Sequence, residues 1–487
     1  MKTPDPRLCN RAAVAALLLV SGCVSFAERP EIHPQRFAPV SSDQSWTAAR
    51  DIAANHTPGP ARMIATQPLI PTARTYDLDA MVDLALRNNP RTQRAWESAQ
   101  TAAAEFGASQ APYYPQSDAE ATNGYVRVPF ELPAQAGAVK QWQSDPVVNV
   151  TYVLLDFGRR RSAAIAAHER LIAANFAFNR VIQDVVFQTQ SAFYALDGAR
   201  ASVVAAAKNL ELSQTDFEAV RQRVDLGLAT QPELLLAKER VAQSQFDLAN
   251  ARLLVHDAQA NLAIALGIPA NTDLPIESLE SLPVPGSLGP AVEALIDEAR
   301  RRRPDLAARV ADVRASEADV SEARAQFMPT VGLSAGYGED LWNFTFVEPR
   351  TVKMIQPQYS ALLTLKWDLF TGFRRLNDVR RAESAREAAR ADLQSVEVDA
   401  AAEVWRAYYE FESSLSKYQY ALSLMASARE AYAANSETYR QGLSTIVELL
   451  TAQRDLANAR YILVQTKAEL LTSSAAIAFA AGNFQTR

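Results

Sequence analysis

The chain has 487 residues, enough for two or three ordinary domains or one large repeated one. Its 49 basic residues stand against 55 acidic ones, net −6, which excludes the basic footprint of a nucleic-acid-binding protein. Two cysteines, Cys9 and Cys23, point away from a disulfide framework, and much of the 48% hydrophobic content is alanine, the best helix former.

The chain opens with Lys2, Arg7 and Arg11, followed by an apolar run at 12–20 that is too short to span a bilayer. Residues 1–22 therefore read as a signal peptide. The stretch Val20-Ser21-Gly22-Cys23 resembles a bacterial lipobox, with cleavage before Cys23 and a lipid on its thiol. An ordinary signal sequence with an incidental cysteine is the alternative. Val24 rather than aspartate follows, which by lipoprotein habit points to the outer membrane. No run of 18 or more apolar residues comes later, so any crossing has to use a β-barrel. Residues 23–75 carry Pro30, Pro34, Pro39, Pro58, Pro60, Pro68 and Pro71 and read as an extended, lipid-anchored segment draped over the body.

The first repeat covers 76–267. A helix is expected from Asp77 to about Gln110, then strands at 115–127 and 146–156 around a Pro/Gly-containing loop at 128–145. A long helix follows from Arg159 to Leu226, with heptad positions at Leu171, Phe178 and Val185 and at Ile182, Thr189 and Leu196. After a turn at Gly227 another helix runs to Leu266. Residues 268–290, with five prolines, form a linker. The second repeat, 291–487, restates the first, with strands expected at 329–341 and 357–369. Pro90 matches Pro304, Gly158 matches Gly372 and Tyr194 matches Tyr408, each 214 positions on; Gly227 matches Gly442 and Gly267 matches Gly482 at 215. One register over most of two halves indicates duplication. On the second long helix, Tyr408, Phe411, Leu415, Tyr418, Leu422, Met425 and Tyr432 give the expected buried stripe.

Each long helix has roughly 70 residues, about 100 Å. The shorter helices are about half that, so two stacked end to end match one long one. In the third strand Val331, Leu333, Ala335 and Tyr337 alternate with Thr330, Gly332, Ser334 and Gly336. One apolar and one polar face suit a transmembrane barrel, with a small soluble β-domain as the alternative. Four strands cannot close a barrel, and eight leave no lumen. Three chains give twelve strands and twelve helical columns, which argues for a homotrimer.

These features resemble the TolC-like outer-membrane factors, in particular the lipoprotein branch called NodT-type. The resemblance rests on the lipobox at Cys23, Asn89-Pro90 and Arg303-Pro304, and Tyr114-Pro115 and Met328-Pro329. It rests also on Leu155-Asp156-Phe157-Gly158, on Trp367-Asp368-Leu369-Phe370-Thr371-Gly372 and on the two turns, and covers about residues 75–483. It implies a mainly α protein with a membrane β-barrel: a trimer with a 12-stranded barrel in the outer membrane and a 12-column α-helical tunnel in the periplasm. It further implies an exit duct for a tripartite pump, with a periplasmic adaptor (membrane fusion) protein and an inner-membrane transporter of RND type. A duct for type I protein secretion is the alternative on the same fold. A trimeric adhesin is disfavoured, because its four strands lie together at the C-terminus. No enzyme, cofactor or metal is expected: there is no P-loop, G-x-S-x-G or dinucleotide fingerprint, and the four histidines lack ligand spacing.

The two turns share Gly-Leu-small-Thr-x-x-Glu: Gly227, Leu228, Thr230 and Glu233, then Gly442, Leu443, Thr445 and Glu448. Locally the glycines suit left-handed helix ends and both Thr-x-x-Glu stretches suit capping boxes. The resemblance adds that Glu233 and Glu448 ring the closed periplasmic tip, that Tyr439 joins the gate contacts, and that the turns are where adaptor hairpins dock. The family can place a basic partner for that tyrosine where Ser444 stands here.

Overall fold

The computed structural model describes residues 34–39, 41–46, 75–132, 135–272, 274–277, 284, 286–287, 289, 291–347 and 350–483. The expected signal peptide, Cys23 and most of the extended segment lie outside these residues. In chain order come helices α1 (Leu78–Asn88) and α2 (Pro90–Ser109), strands β1 (Gln116–Leu132) and β2 (Gln135–Leu155), and helices α3 (Arg159–Asp225) and α4 (Gln231–Leu266). The second half gives α5 (Val292–Arg302), α6 (Pro304–Ala325), β3 (Thr330–Val347), β4 (Arg350–Lys366), α7 (Arg374–Arg440) and α8 (Ile446–Ala480). The chain forms two compact units, with boundaries inside α2, α3, α6 and α7.

The first unit, Thr101–Leu171 and Ala311–Ala389 with Pro34–Phe37, holds one antiparallel sheet in the order β1-β2-β3-β4. Its register sorts the side chains. Val148 stands opposite Tyr337 and Tyr337 opposite Tyr359; Tyr152, Leu333 and Leu363 form a second such row. Between them, Asn149, Gly336 and Ser360 align. Because successive side chains point to opposite faces, the sheet has one apolar and one polar face. A bulge between Val153 and Leu155 pairs Leu155 with Val331, which keeps it in the apolar rows.

The expected strand limits were too short. Pairing of β1 and β2 runs without a gap from Gln116–Thr151 to Leu132–Gln135, so residues 128–132 and 135–145 of the expected loop are strand. Pro129, within that expected loop, lies on an edge strand of the protomer's sheet, and Pro146, at the start of the second expected strand, falls where the β2–β3 pairing skips from Ser144 to Val147. Seventeen residues extend about 55 Å, or about 40 Å of height at a 45° tilt.

At both strand-to-helix junctions an arginine closes the strand end. Arg160 donates to the carboxylate of Asp156 at 2.9 Å and to the carbonyl of Val153 at 2.7 Å. Arg375 donates to the carbonyl of Asp368 at 2.6 Å and pairs with its carboxylate at 3.0 Å. In the same unit Phe37 meets Phe106 and His168 edge-on at 5.9 and 6.1 Å.

The second unit takes 38–100, Ile172–Val310 and Arg390 onward. The single helix expected from 77 to 110 is two, and α5–α6 repeat the break. The residue before a proline is pushed out of the helical region; Asn89 has φ −70° and ψ 123°, and Arg303 has φ −71° and ψ 122°. Each break is seated on the end of the hairpin's last helix. Asn89 Nδ2 donates to the carbonyl of Ala265 at 2.8 Å, and Arg303 Nη1 to that of Ala480 at 3.2 Å. Gly267, at φ 69°, lies so close to the first break that an added Cβ would stand 2.7 Å from the carbonyl of Asn88.

The largest core gathers Phe178, Ile182, Val185, Phe193 and Leu196 of α3 with Met81, Ala85 and Leu86 of α1 and Leu262 and Leu266 of α4. On α7 Phe411 alone of the expected stripe is fully buried; Tyr408, Leu415, Tyr418, Met425 and Tyr432 are half-buried and Leu422 is exposed. The rest of the buried seam is Ala400, Ala407, Ser414, Ala421 and Ala428 at seven-residue spacing, with Val404. Small residues let helices approach closely, so bulky neighbours are turned to the flanks. An ionic chain ties the repeats: Arg91 to Asp184, Asp184 to Arg180, Arg180 to Glu403 and Glu403 to Arg303.

Candidate functional site

The hairpin turns lie in the second unit, and their glycines end α3 and α7 alike. Gly227 has φ 70° and Gly442 φ 77°, the left-handed region that glycine enters freely. The amide of Leu228 donates to the carbonyl of Arg223 at 2.7 Å and that of Leu443 to the carbonyl of Thr438 at 2.9 Å. With the glycine amides bonded to Val224 and Tyr439, both ends are Schellman motifs. Leu228 and Leu443 are exposed beyond them, 64% and 75%.

The starts of α4 and α8 differ, although both were expected to be capping boxes. Thr445 accepts from the amide of Glu448 at 3.3 Å, and Glu448 accepts from the amide of Thr445 at 3.1 Å. Thr230 makes no such cap; the amide of Glu233 donates instead to the carbonyl of Thr230 at 3.1 Å, and the Thr230 hydroxyl donates to the Glu233 carboxylate. Pro232 leads into this amide with no N–H of its own, and the turn closes through backbone. Glu448 is thus exposed and engaged in its own helix start, whereas Glu233 is half-buried and free to reach across.

It reaches Tyr439. The Tyr439 hydroxyl donates to Glu233 Oε2 at 3.4 Å, linking the two hairpins. Arg223 of α3 lies over the Tyr439 ring, 4.7 Å from its centroid, and donates to the Tyr439 carbonyl at 2.7 Å. Burial and the Glu233 carboxylate raise the Tyr439 phenol, more than Arg223 lowers it. Val220, Ala237, Ile446 and Leu449 are buried beneath. Ser444 stays within its own hairpin, accepting from Thr438 at 3.0 Å. The basic partner of Tyr439 is therefore Arg223, from the other repeat.

Sequence reading missed Arg223, and it missed Asp216 and Tyr432, which meet one heptad before the turns. A signal was present. Arg223 and Tyr439 are 216 positions apart, as are Asp216 and Tyr432, close to the repeat offset. Equivalent helices packed side by side bring nearly equivalent positions together. Among the described residues no cluster of three or more His, Cys, Asp or Glu could hold a metal, and no helix is long and apolar enough to cross a membrane.

The family model described as outer membrane efflux protein matches residues 81–268 and 295–483. Protein CyaE of Bordetella pertussis is 29% identical over 427 residues, 85% of either chain. Outer membrane protein OprJ of Pseudomonas aeruginosa is 26% identical over 388 residues, 78% of either chain. The solved outer-membrane channel OprN superposes with a TM-score of 0.73 at 21% identity, covering 84% of this chain and 90% of its own. With both repeats matched, the chain belongs to the outer membrane efflux protein family: it is a trimeric outer-membrane channel with a periplasmic helical tunnel, serving efflux with an adaptor and an inner-membrane pump, and not an enzyme.

Proposed function

We propose that the two turns form the periplasmic tip of the channel and that Tyr439, Glu233 and Arg223 hold it closed. The contact that carries this reading is the Tyr439 to Glu233 hydrogen bond at 3.4 Å, which joins the turn of one repeat to the turn of the other. Glu448, exposed at the start of α8, adds three carboxylates per trimer, a negative ring that favours cations at the opening. The exposed Leu228 and Leu443, held by the tight turns at Gly227 and Gly442 and the helix starts at Thr230 and Thr445, offer apolar contacts to adaptor hairpins. The pump is of RND type, and lipid on Cys23 tethers a chain whose repeats span 76–267 and 291–487.

Single-channel recording tests the closed tip. Tyr439→Phe should raise conductance severalfold, since each such hydrogen bond is worth about 0.5–1.5 kcal/mol and the trimer has three. Glu448→Ala should raise conductance or antibiotic leakage. Unchanged values for both variants as stable trimers refute the closed tip. Crosslinking from Leu228 or Leu443 to the adaptor tests docking, and no crosslink at either position counts against it.

A further inference from the structure

A second contact between the repeats lies one heptad before the first and is, like it, part-buried. Asp216 of α3 is 6% exposed. Its two carboxylate oxygens share the hydroxyl of Tyr432 of α7, at 3.0 and 3.1 Å. An ionised carboxylate can accept about four hydrogen bonds. Here one side-chain hydroxyl serves both oxygens, and no Lys or Arg pairs with Asp216 among the described residues. Positions 216 and 223, like 432 and 439, are seven apart, so the same helix faces carry both contacts.

The surrounding charges come from four helices. On α7, Arg440 attracts Asp216, and Ser436 is hydrogen-bonded to Tyr432. On α3, Arg223 lies over Tyr439; on α4, Glu233 accepts from Tyr439. On α8, Arg460 faces Tyr432 and is repelled by Arg429 of α7.

We propose that Asp216 and Tyr432 form an acid-stabilised clasp between the repeats, packed when Asp216 is protonated and loosened when it ionises into water. Burial raises the Asp216 carboxyl to about 6, against the Tyr432 hydrogen bond and Arg440, which lower it. Once separated and hydrated, the carboxyl titrates near its ordinary value of about 4. The packed state therefore holds the proton more tightly. Its advantage is complete below about pH 4 and is lost as pH rises through about 6. On these values the ratio of separated to packed clasp rises about tenfold from pH 5 to pH 7. The clasp needs only the packing of α3 against α7, and stands whether or not Tyr439 acts as a gate.

Hydrogen exchange of the full-length trimer in detergent tests it, read on segments 209–222 and 428–440 and corrected for the intrinsic pH dependence of exchange. The unaltered protein should open about tenfold more at pH 7 than at pH 5. Asp216→Asn, which cannot titrate, should lose that rise. Tyr432→Phe removes a hydrogen bond that favours the carboxylate, so its midpoint should move to higher pH. A flat profile in the unaltered protein overturns the clasp, as does an undiminished rise in Asp216→Asn. Should that variant fail to assemble, an unshifted midpoint in Tyr432→Phe overturns it equally.

Discussion

Arg303 is the side chain whose loss the second helical break should feel most. It is 3% exposed and holds three partners: Asp305 at 2.7 and 3.1 Å, Glu403 at 2.7 Å and the Ala480 carbonyl at 3.2 Å. Arg303→Ala leaves two carboxylates and a carbonyl behind. Removing one partner of a buried ion pair costs about 3–5 kcal/mol. The Asp305 and Glu403 side chains are 24% and 34% exposed, so water recovers part of this. About 3 kcal/mol remains, roughly a hundredfold in the local opening equilibrium. Hydrogen exchange or limited proteolysis of the purified trimer around residues 300–310 measures it. The triple variant Arg303→Ala, Asp305→Asn, Glu403→Gln should regain much of the protection, because no unpaired charge remains. The pH dependence has a definite sign. Burial alone raises the Asp305 carboxyl, but Arg303 outweighs it and holds it below the ordinary range. Its stabilising contribution is therefore present above about pH 4 and lost as pH falls further, so the difference between the unaltered protein and Arg303→Ala should narrow in acid. Protection within threefold of the unaltered protein, or a triple variant no better than the single one, refutes this reasoning.

Three further outcomes follow from the helix ends. Thr445→Ala should destabilise the start of α8 by about 1 kcal/mol, and Thr230→Ala that of α4 by only a few tenths, since only Thr445 caps its N3 amide; first-turn exchange rates in the two helices compare them. Gly227→Ala, with nothing near the new methyl, should cost the left-handed strain alone, about 1–2 kcal/mol, whereas Gly267→Ala adds a collision with the Asn88 carbonyl and should lower the yield of folded trimer markedly. Asn89→Ala should cost about 1–3 kcal/mol, read as lost protection near 86–92, because it leaves the Ala265 carbonyl without its side-chain donor.

The duplication was legible because proline and glycine keep their places for backbone reasons. Pro90 and Pro304 impose one conformation on Asn89 and Arg303, and Gly267 and Gly482 end the hairpins beneath them. The sheet was half legible. Alternation in β3 showed its faces, but Val147 and Val153 on the polar side of β2 blurred the pattern until register set Val148 beside Tyr337 and Tyr152 beside Leu333. Strand ends were misread because proline was taken as a breaker on an edge strand that tolerates it. The α7 seam was misread because size was taken for burial. In the turns, the repeated spacing singled out Glu233 and the family resemblance Tyr439, but Thr230 shows that a motif can be present while backbone closes the turn in its place. Arg223 and Asp216 were hidden for another reason: their partners lie a whole repeat away, and only the packing of one repeat on the other brings them together.

The sheet order leaves one side of β1 and one side of β4 without a partner strand in each protomer. Exposed strand edges invite pairing with any available chain. Two protomers that join along one seam hide two edges and still present two, so a pair is as adhesive as a single chain. The third arrival forms two seams at once and removes the last free edges. Assembly should thus behave as a step with little halfway ground, in which half-built barrels are scarce at equilibrium and hazardous while they last. The long strands sharpen this, since the edges left open on β1 and β4 are each seventeen residues long. A cell making this protein has reason to bring three chains to the membrane together rather than to let one wait there alone.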